Sequence, residues 1–352
     1  MDSEPIAYDL SAACRATGLD PARIRFLQRE FREWFRSADT GLERTVFGTR
    51  EIALLRHLHQ CVFVDRRAPA AVRHELIRAN SGLRIVSVTS GKGGVGKTTV
   101  ALNLAVAMAA GGLRVLLFDA DLGMANVHVF AGLNPSRTVA DLIGGRAALE
   151  DVLMDGPGGI RVLPGGSGMT ELADLDVGKT ASLGRELMRL GDLFDVVVVD
   201  TGAGAGARVV EFLRIADDIV VVVTPDLAST LDAYGIVKIV CESELQGRLR
   251  MLVNMVQNPE ESRTVMTRVG SCAQRFLNRQ LDCLGWLPRD AALQEAAQQR
   301  CPLLLSQPES DGARRFMQMA ALLAAPAAVP AARRESHPGE RLALLAARLS
   351  VM

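Results

Sequence analysis

Residues Gly91-Lys-Gly-Gly-Val-Gly-Lys-Thr-Thr99 lie between the apolar run Arg84-Ile-Val-Ser-Val-Thr-Ser90 and a long Ala/Leu/Val segment with helical spacing. A glycine-rich turn between a strand and a helix is a phosphate cradle. The glycines let the backbone turn tightly and aim N–H groups inward, and the helix adds the positive end of its dipole. The stretch matches G-x-x-x-x-G-K-[ST], in which Lys97 reaches the β- and γ-phosphates and the Thr98 hydroxyl ligates Mg2+. Gly93, Gly94, Val95, Gly96, Lys97, Thr98 and Thr99 are therefore the expected cradle for ATP.

Outward from this turn, short β-branched runs alternate with helical stretches. Val115–Phe118, Ile160–Leu163, Val196–Val199, Ile219–Val223, Met251–Val253 and Leu284–Leu287 read as strands. Several are apolar at every position, as in a parallel sheet covered on both faces. Segments 97–110, 180–190, 207–216, 229–243 and 261–279 carry helix-spaced apolar residues. The pattern predicts an α/β doubly wound, mostly parallel sheet with ligand at the carboxyl ends of the strands.

The 352 residues suffice for one large domain and a small one, and 49% apolar composition is ample for a core. Net charge is zero, so global charge selects neither nucleic acid nor membrane. Cysteines 14, 61, 241, 272, 283 and 301 form no C-x-x-C and stand beside no histidine cluster, so they read as reduced thiols of a cytoplasmic protein. The acidic start lacks an apolar signal region, and no eighteen-residue apolar run occurs. Expected boundaries are a helical, arginine-rich module over 1–79, an ATPase domain over 83–324, a Pro/Ala linker over 325–339 and a short amphipathic helix over 340–352.

Carboxylates mark the chemistry. Asp119 and Asp121 end the second strand beside the phosphate loop. They share a face if the strand continues, although a turn beginning at Asp121 would part them. Phosphoryl transfer to water needs a group that aligns the water and negative charge near Mg2+; Asp121 is assigned to the first and Asp119 to the second. Val196-Val-Val-Val-Asp200-Thr-Gly-Ala-Gly-Ala-Gly206 brings a third acid, Asp200, to the sheet edge, where burial is costly unless it serves Mg2+. The glycines behind it suit a loop that switches with the γ-phosphate. For the base, Asn254 offers both a donor and an acceptor to adenine, with Asp290, Gln257 and Asn258 as further candidates.

Lysine is scarce, four residues against 36 arginines, yet two of the four, Lys92 and Lys97, fall in one loop. Lys92-Gly-Gly-Val-Gly-Lys-Thr98 resembles the deviant Walker A box of the MinD/ParA ATPases. Together with Asp119–Val127, Gly156–Gly168, Asp200–Gly206 and Val253–Pro259, it resembles the FlhG (FleN) subfamily of flagellar number and placement regulators. The likeness covers about residues 84–305, and the stretch from Leu122 through Gly168 is its specific part. It implies a slow, Mg-dependent ATP hydrolase that closes as a homodimer around two ATP molecules. Lys92 would then act catalytically across the interface beside Lys97 and Asp121. It further implies flagellar assembly or transcription regulators as partners. The N-terminal Asp-Gln-Ala-x-x-Leu-Arg segment by which family members stimulate the flagellar GTPase FlhF is not found, so GTPase activation is not carried over.

In its place, Leu10–Arg29 resembles the opening helix-turn-helix of a MerR-type winged-helix domain, with Thr17-Gly-Leu-Asp-Pro21 as the turn and Ile24, Phe26, Leu27 and Phe31 as the packing face. Arg44–Ile52 resembles that domain's wing and next helix. Arg23, Arg25, Arg29 and Arg32 are placed to reach DNA, and residues 10–78 are the expected DNA-contacting region, with protein docking as the alternative. In the tail, Leu342, Leu345, Ala346 and Leu349 share a helical face with Arg341 and Arg348 beside it. Reversible attachment of residues 340–352 to the inner membrane face or cell pole and packing on the ATPase core are both open. The competing function is a ParA-type DNA partition ATPase with an N-terminal operator-binding domain. A third reading is an inactive nucleotide-binding scaffold, against which Lys92 and Asp121 speak.

Overall fold

A computed structural model of the chain describes residues 8–31, 47, 49–66, 69, 72, 83–121, 123–166, 190–191 and 193–324. The expected helix over 180–190, except Leu190, lies outside the described residues. So do the linker over 325–339 and the tail helix over 340–352. The chain divides into a helical unit before Gly82 and an α/β unit from Gly82 to Leu323.

The helical unit opens with α1 (Leu10–Thr17), whose first turn is capped by the Asp9 carboxylate accepting from the Ala12 N–H at 2.7 Å. Gly18, at φ 72°, ends it in the left-handed conformation that glycine adopts without strain. Helix α2 (Pro21–Glu30) starts three residues later, capped by Asp20 with Pro21 at its first position. A third helix, α3 (Thr49–His59), runs into a π-turn over Gln60–Val64, and Tyr8 bridges antiparallel to Phe47. Ala13, Ile24, Leu27, Phe31, Phe47, Leu55 and Leu58 form the buried centre.

One expected packing residue is displaced. Ile24, Leu27 and Phe31 follow the i, i+3, i+7 rule and are buried, whereas Phe26 stands off that stripe. It is half-buried and meets Phe63 edge-on at 5.5 Å.

In the α/β unit, β1 (Arg84–Ser90), α4 (Lys97–Ala110) and β2 (Val115–Ala120) are followed by the short helices α5 (Val127–Phe130), α6 (Val139–Ile143) and α7 (Leu149–Val152). Next come β3 (Met154–Asp155), β4 (Arg161–Leu163), β5 (Val196–Ala203), α8 (Ala207–Arg214), β6 (Asp218–Val223) and α9 (Leu227–Glu242). The unit closes with β7 (Arg248–Val256), α10 (Pro259–Leu277), β8 (Asp282–Pro288), α11 (Ala291–Gln298), α12 (Leu303–Ser306) and α13 (Asp311–Ala324).

The strands form one eight-stranded sheet in the order β3-β4-β2-β5-β1-β6-β7-β8. Every neighbouring pair is parallel except β3 with β4. Each anticipated run became a strand. The two-residue β3 was not anticipated, because Met-Asp carries no alternation to detect. Every residue of β1, β2 and β6 is buried; β2 and β6 are accordingly apolar at five of six positions, whereas β1 also buries Arg84, Ser87, Thr89 and Ser90. Each of the buried valines 196 to 199 contributes about 1.5–3 kcal/mol on leaving water.

At the end of the sheet away from the phosphate loop, Asp218 is fully buried between two arginines. Arg84 donates from Nε and Nη2 at 3.1 and 2.7 Å, and Arg250 Nε lies 2.8 Å from the other oxygen. Burial lowers the Arg250 pKa, with Asp218 opposing. This cluster ties the first halves of β1, β6 and β7 together and leaves their carboxyl ends free to build a site.

Candidate functional site

The phosphate loop runs from the end of β1 into α4, with Gly94 and Gly96 at φ 80° and 87°. Two close approaches explain why glycine is needed here. A Cβ on Gly91 would lie 2.3 Å from the Asp232 carbonyl carbon in α9, and one on Gly96 would lie 2.5 Å from the Asn254 Nδ2. Ser90 holds the loop's first turn by donating to the Lys92 carbonyl at 2.9 Å.

Two of the expected residues converge on the carboxylate of a third. Asp200, fully buried in β5, accepts from Lys97 Nζ at 2.7 Å through one oxygen and from the Thr98 hydroxyl at 2.7 Å through the other. Burial pushes the Asp200 carboxyl up, and the Lys97 ammonium with its hydrogen bond opposes that shift. Asp119 is the direct strand neighbour of Asp200 and is also fully buried. Burial, followed by the charge of Asp200, pushes its pKa to about 7, although it accepts from the N–H groups of Val127 and Asp121 at 3.0 and 3.2 Å.

Strand β2 stops at Ala120, so the chain turns where Asp121 begins and the two acids have different surroundings. Asp121 accepts from the Met124 N–H at 3.2 Å and lies near Gly202 at the end of β5, just before the glycine loop. That loop is bound to the phosphate loop, since the Gly204 N–H donates to the Ser90 carbonyl at 2.8 Å. Sequence reasoning missed Asn126, which accepts from the Thr98 hydroxyl at 3.2 Å; its presence in the Asp119–Val127 motif was the available signal.

Thr98, Asp200 and Asp119 offer hard oxygen donors suited to Mg2+. Among the described residues no group of three or more His, Cys, Asp or Glu is arranged to hold a metal. This small donor set fits Mg2+, which usually takes one or two carboxylates and fills its octahedron with water and substrate phosphates. Thr99 directs its carbonyl to the Asn103 amide at 2.9 Å, so its expected contribution to the cradle would come from its backbone N–H or hydroxyl.

Beside the loop lies a pocket of about 200 Å³ lined by Lys92, Gly94, Val95, Thr224, Pro225, Asp226, Met255, Gln257, Glu261 and Arg289. Neither Asn254 nor Asp290 is among its lining residues. The Asn254 amide, 1% exposed, donates to the Val95 carbonyl at 2.8 Å and accepts from the Met255 N–H at 2.9 Å, so both its polar atoms are engaged inside the chain. Asp290 caps α11 by accepting from Ala292, and Asn258 caps α10 by accepting from Glu261. Of the four candidates for the base, Gln257 alone lines the cavity, and Arg289, which was not a candidate, lines it too. Lys92 does not share the Asp200 carboxylate with Lys97 and instead donates to Asp226 at 3.0 Å. Asp226 was also missed, and its signal was a capping acid directly before a helical pattern.

In the helical unit the arginines expected to meet DNA divide. Arg23 pairs with Asp20, approaches His59 Nε2 at 3.2 Å and stacks over Phe63. Arg29 stacks over Phe26 and pairs with Glu30. Arg25 is exposed, and Arg32 lies outside the described residues.

A family model described as the CobQ/CobB/MinD/ParA nucleotide binding domain matches residues 86–303. The antiactivator FleN of Pseudomonas aeruginosa is 41% identical over 238 residues, covering 68% of this chain and 85% of FleN. The flagellum site-determining protein YlxH of Helicobacter pylori is 32% identical over 68% of this chain and 81% of its own length. The solved structure of the septum site-determining protein MinD from Pyrococcus horikoshii, complexed with Mg-ADP, superposes with a TM-score of 0.57 at 27% identity, covering 68% of this chain and 96% of that one.

Proposed function

This chain belongs to the CobQ/CobB/MinD/ParA nucleotide-binding family and is a MinD/ParA-type ATPase related to the flagellar regulators FleN and YlxH, and from that premise we propose that it is an ATP-timed dimerising switch that sets the number or placement of flagella through partner proteins. The observation that carries the dimer is the pair of loop lysines. Lys97 is buried against Asp200 where the β- and γ-phosphates would sit, while Lys92 stands at the rim with its side chain 39% exposed. A second ammonium on the outside of the cradle suits phosphates brought by another copy, supplying the charge stabilisation of an arginine finger. Large apolar side chains that stand exposed, Met124 after β2 and Leu227 and Leu231 on the first turns of α9, suit a face that is covered when two copies close.

In this reading Lys97 and Thr98 leave Asp200 as Mg-ATP enters. Thr98, Asp200 and Asp119 would hold Mg2+, which when bound would supply positive charge beside the phosphates. Asp121, beside Gly202, would orient the attacking water, and Lys92 would stabilise the transferring group from across the dimer. Asn254 and Asp290 remain the proposed adenine contacts, and for Asn254 that contact would use its second N–H and the second lone pair of its Oδ1. Lys92→Ala is expected to leave Mg-ATP binding measurable by calorimetry while abolishing ATP-dependent dimers and phosphate release. An unchanged dimer in light scattering would refute the assignment.

A winged-helix DNA-binding role for the N-terminal unit is supported by the α1–turn–α2 geometry, with Gly18 and Asp20 shaping the turn and Arg25 exposed on the second helix. Binding in an electrophoretic shift should weaken as salt rises, since phosphate contacts release counterions. Flagellar genes beside this one favour the flagellar role, and a centromere-binding partner gene favours plasmid or chromosome partition. Attachment of residues 340–352 to membrane is tested by liposome co-sedimentation with and without them.

A further inference from the structure

Lys92 is not free in the single chain. Its Nζ lies 3.0 Å from Asp226 Oδ1, at the turn between β6 and α9. The Asp226 carboxylate is fixed from other sides: Thr224 donates its hydroxyl to Oδ2 at 2.6 Å, and the Ser229 N–H donates to Oδ1 at 2.9 Å, capping α9. The hydroxyl bond, followed by the Ser229 N–H and Lys92, holds its pKa down to about 2, so it is charged throughout the physiological range. The lysine is anchored as well, because its carbonyl accepts from the Ser90 hydroxyl. The two residues together form part of the wall of the pocket beside the phosphate loop.

Resting on the reading that Lys92 serves the nucleotide of a second copy, we propose that Asp226 is an intrachain brake on dimerisation, holding Lys92 in its own subunit until ATP and a partner compete it away. Any contact present in the separate chains and lost in the dimer raises the dimer's dissociation constant, and closing a two-fold dimer breaks this pair twice. The strength suits a brake that ATP can override. Both side chains are substantially exposed, so one pair is worth a factor of about 1.4 to about 5 in an equilibrium. An ATP-bound partner offers Lys92 several phosphate oxygens in exchange for one carboxylate.

Asp226→Asn tests this cleanly, because asparagine caps a helix as well as aspartate does while removing the charge that holds Lys92. Asp226→Ser serves as a second variant with a capping hydroxyl. Dimerisation of the full chain is followed by analytical ultracentrifugation with Mg2+ and a non-hydrolysable ATP analogue. Both variants should lower the dimer dissociation constant by about twofold to about thirtyfold relative to wild type, and the difference should shrink at high salt. Variants that dimerise no more tightly than a dimerising wild type, with equal nucleotide occupancy, overturn the brake and leave the functional reading standing. A wild-type chain that never dimerises overturns both.

Discussion

Replacing Asn254 separates two jobs that one amide could hold. In the folded chain its Nδ2 donates to the Val95 carbonyl at 2.8 Å in a buried setting, so β7 braces the phosphate loop from below. Its Oδ1 accepts from the Met255 N–H, at a residue held at φ 59°. Asn254→Ala removes the donor and leaves the Val95 carbonyl buried without it, a loss of about 1–3 kcal/mol. If that energy now orders the loop for phosphate, Mg-ATP affinity should fall between about 5-fold and about 150-fold.

The assay is isothermal calorimetry with Mg-ATP, Mg-GTP and inorganic tripolyphosphate. Loss of a brace lowers all three by similar factors, because each ligand needs the same loop. Loss of an adenine contact lowers Mg-ATP alone. An unchanged tripolyphosphate affinity beside a weakened ATP affinity would refute the bracing argument, and no change with any ligand would remove Asn254 from the site altogether.

Two further substitutions probe the acids at the two ends of the sheet. Asp119 has a folded pKa of about 7 against 3.8 in an exposed carboxyl, so the stability of its neutral form is complete below pH 4 and is lost as pH rises through 7. Thermal unfolding of the nucleotide-free protein should therefore occur at lower temperature at pH 8 than at pH 5. Asp119→Asn, neutral at every pH, should reduce that slope by up to about 1.4 kcal/mol per pH unit, and identical slopes for both proteins would contradict the assignment. At the far end, Asp218→Ala leaves Arg84 and Arg250 buried without their shared carboxylate, at a cost of about 3–5 kcal/mol. For a unit of this size that lowers Tm by about 6–20 °C. Mg-ATP affinity measured below the transition should be unaffected, since the cluster lies opposite the phosphate loop. A Tm within 2 °C of wild type would show that the cluster is not holding the strands, an outcome well inside the roughly 2–4 °C expected per kcal/mol.

The α/β unit was legible because its signals are local. A strand of a sheet covered on both faces tends to be apolar at successive positions, so β2, β5 and β6 announce themselves, and a phosphate cradle requires glycines and a lysine within one turn of chain. Helix starts were less legible. α9 begins at Leu227, ahead of its expected start at 229, because Asp226 captures the Ser229 N–H, and α10 begins at Pro259 because Asn258 captures that of Glu261. The capping rule was available for both, but periodicity alone cannot see a cap. Phe26 shows the same limit in the helical unit, where three of four apolar residues obeyed the helical stripe and the fourth found an aromatic neighbour 37 positions later.

By itself, then, the order of residues pointed to the class of fold, the proposed cradle and the acids proposed around it, since each depends on side-chain type and short spacing along the chain. Partnership was decided only by tertiary structure. Lys97 meets Asp200 across 103 positions, Lys92 meets Asp226 across 134 and Asn254 meets Val95 across 159. Parallel strands bring the ends of distant segments to one edge of the sheet, and which groups touch there depends on strand order and register. Local sequence carries no record of either.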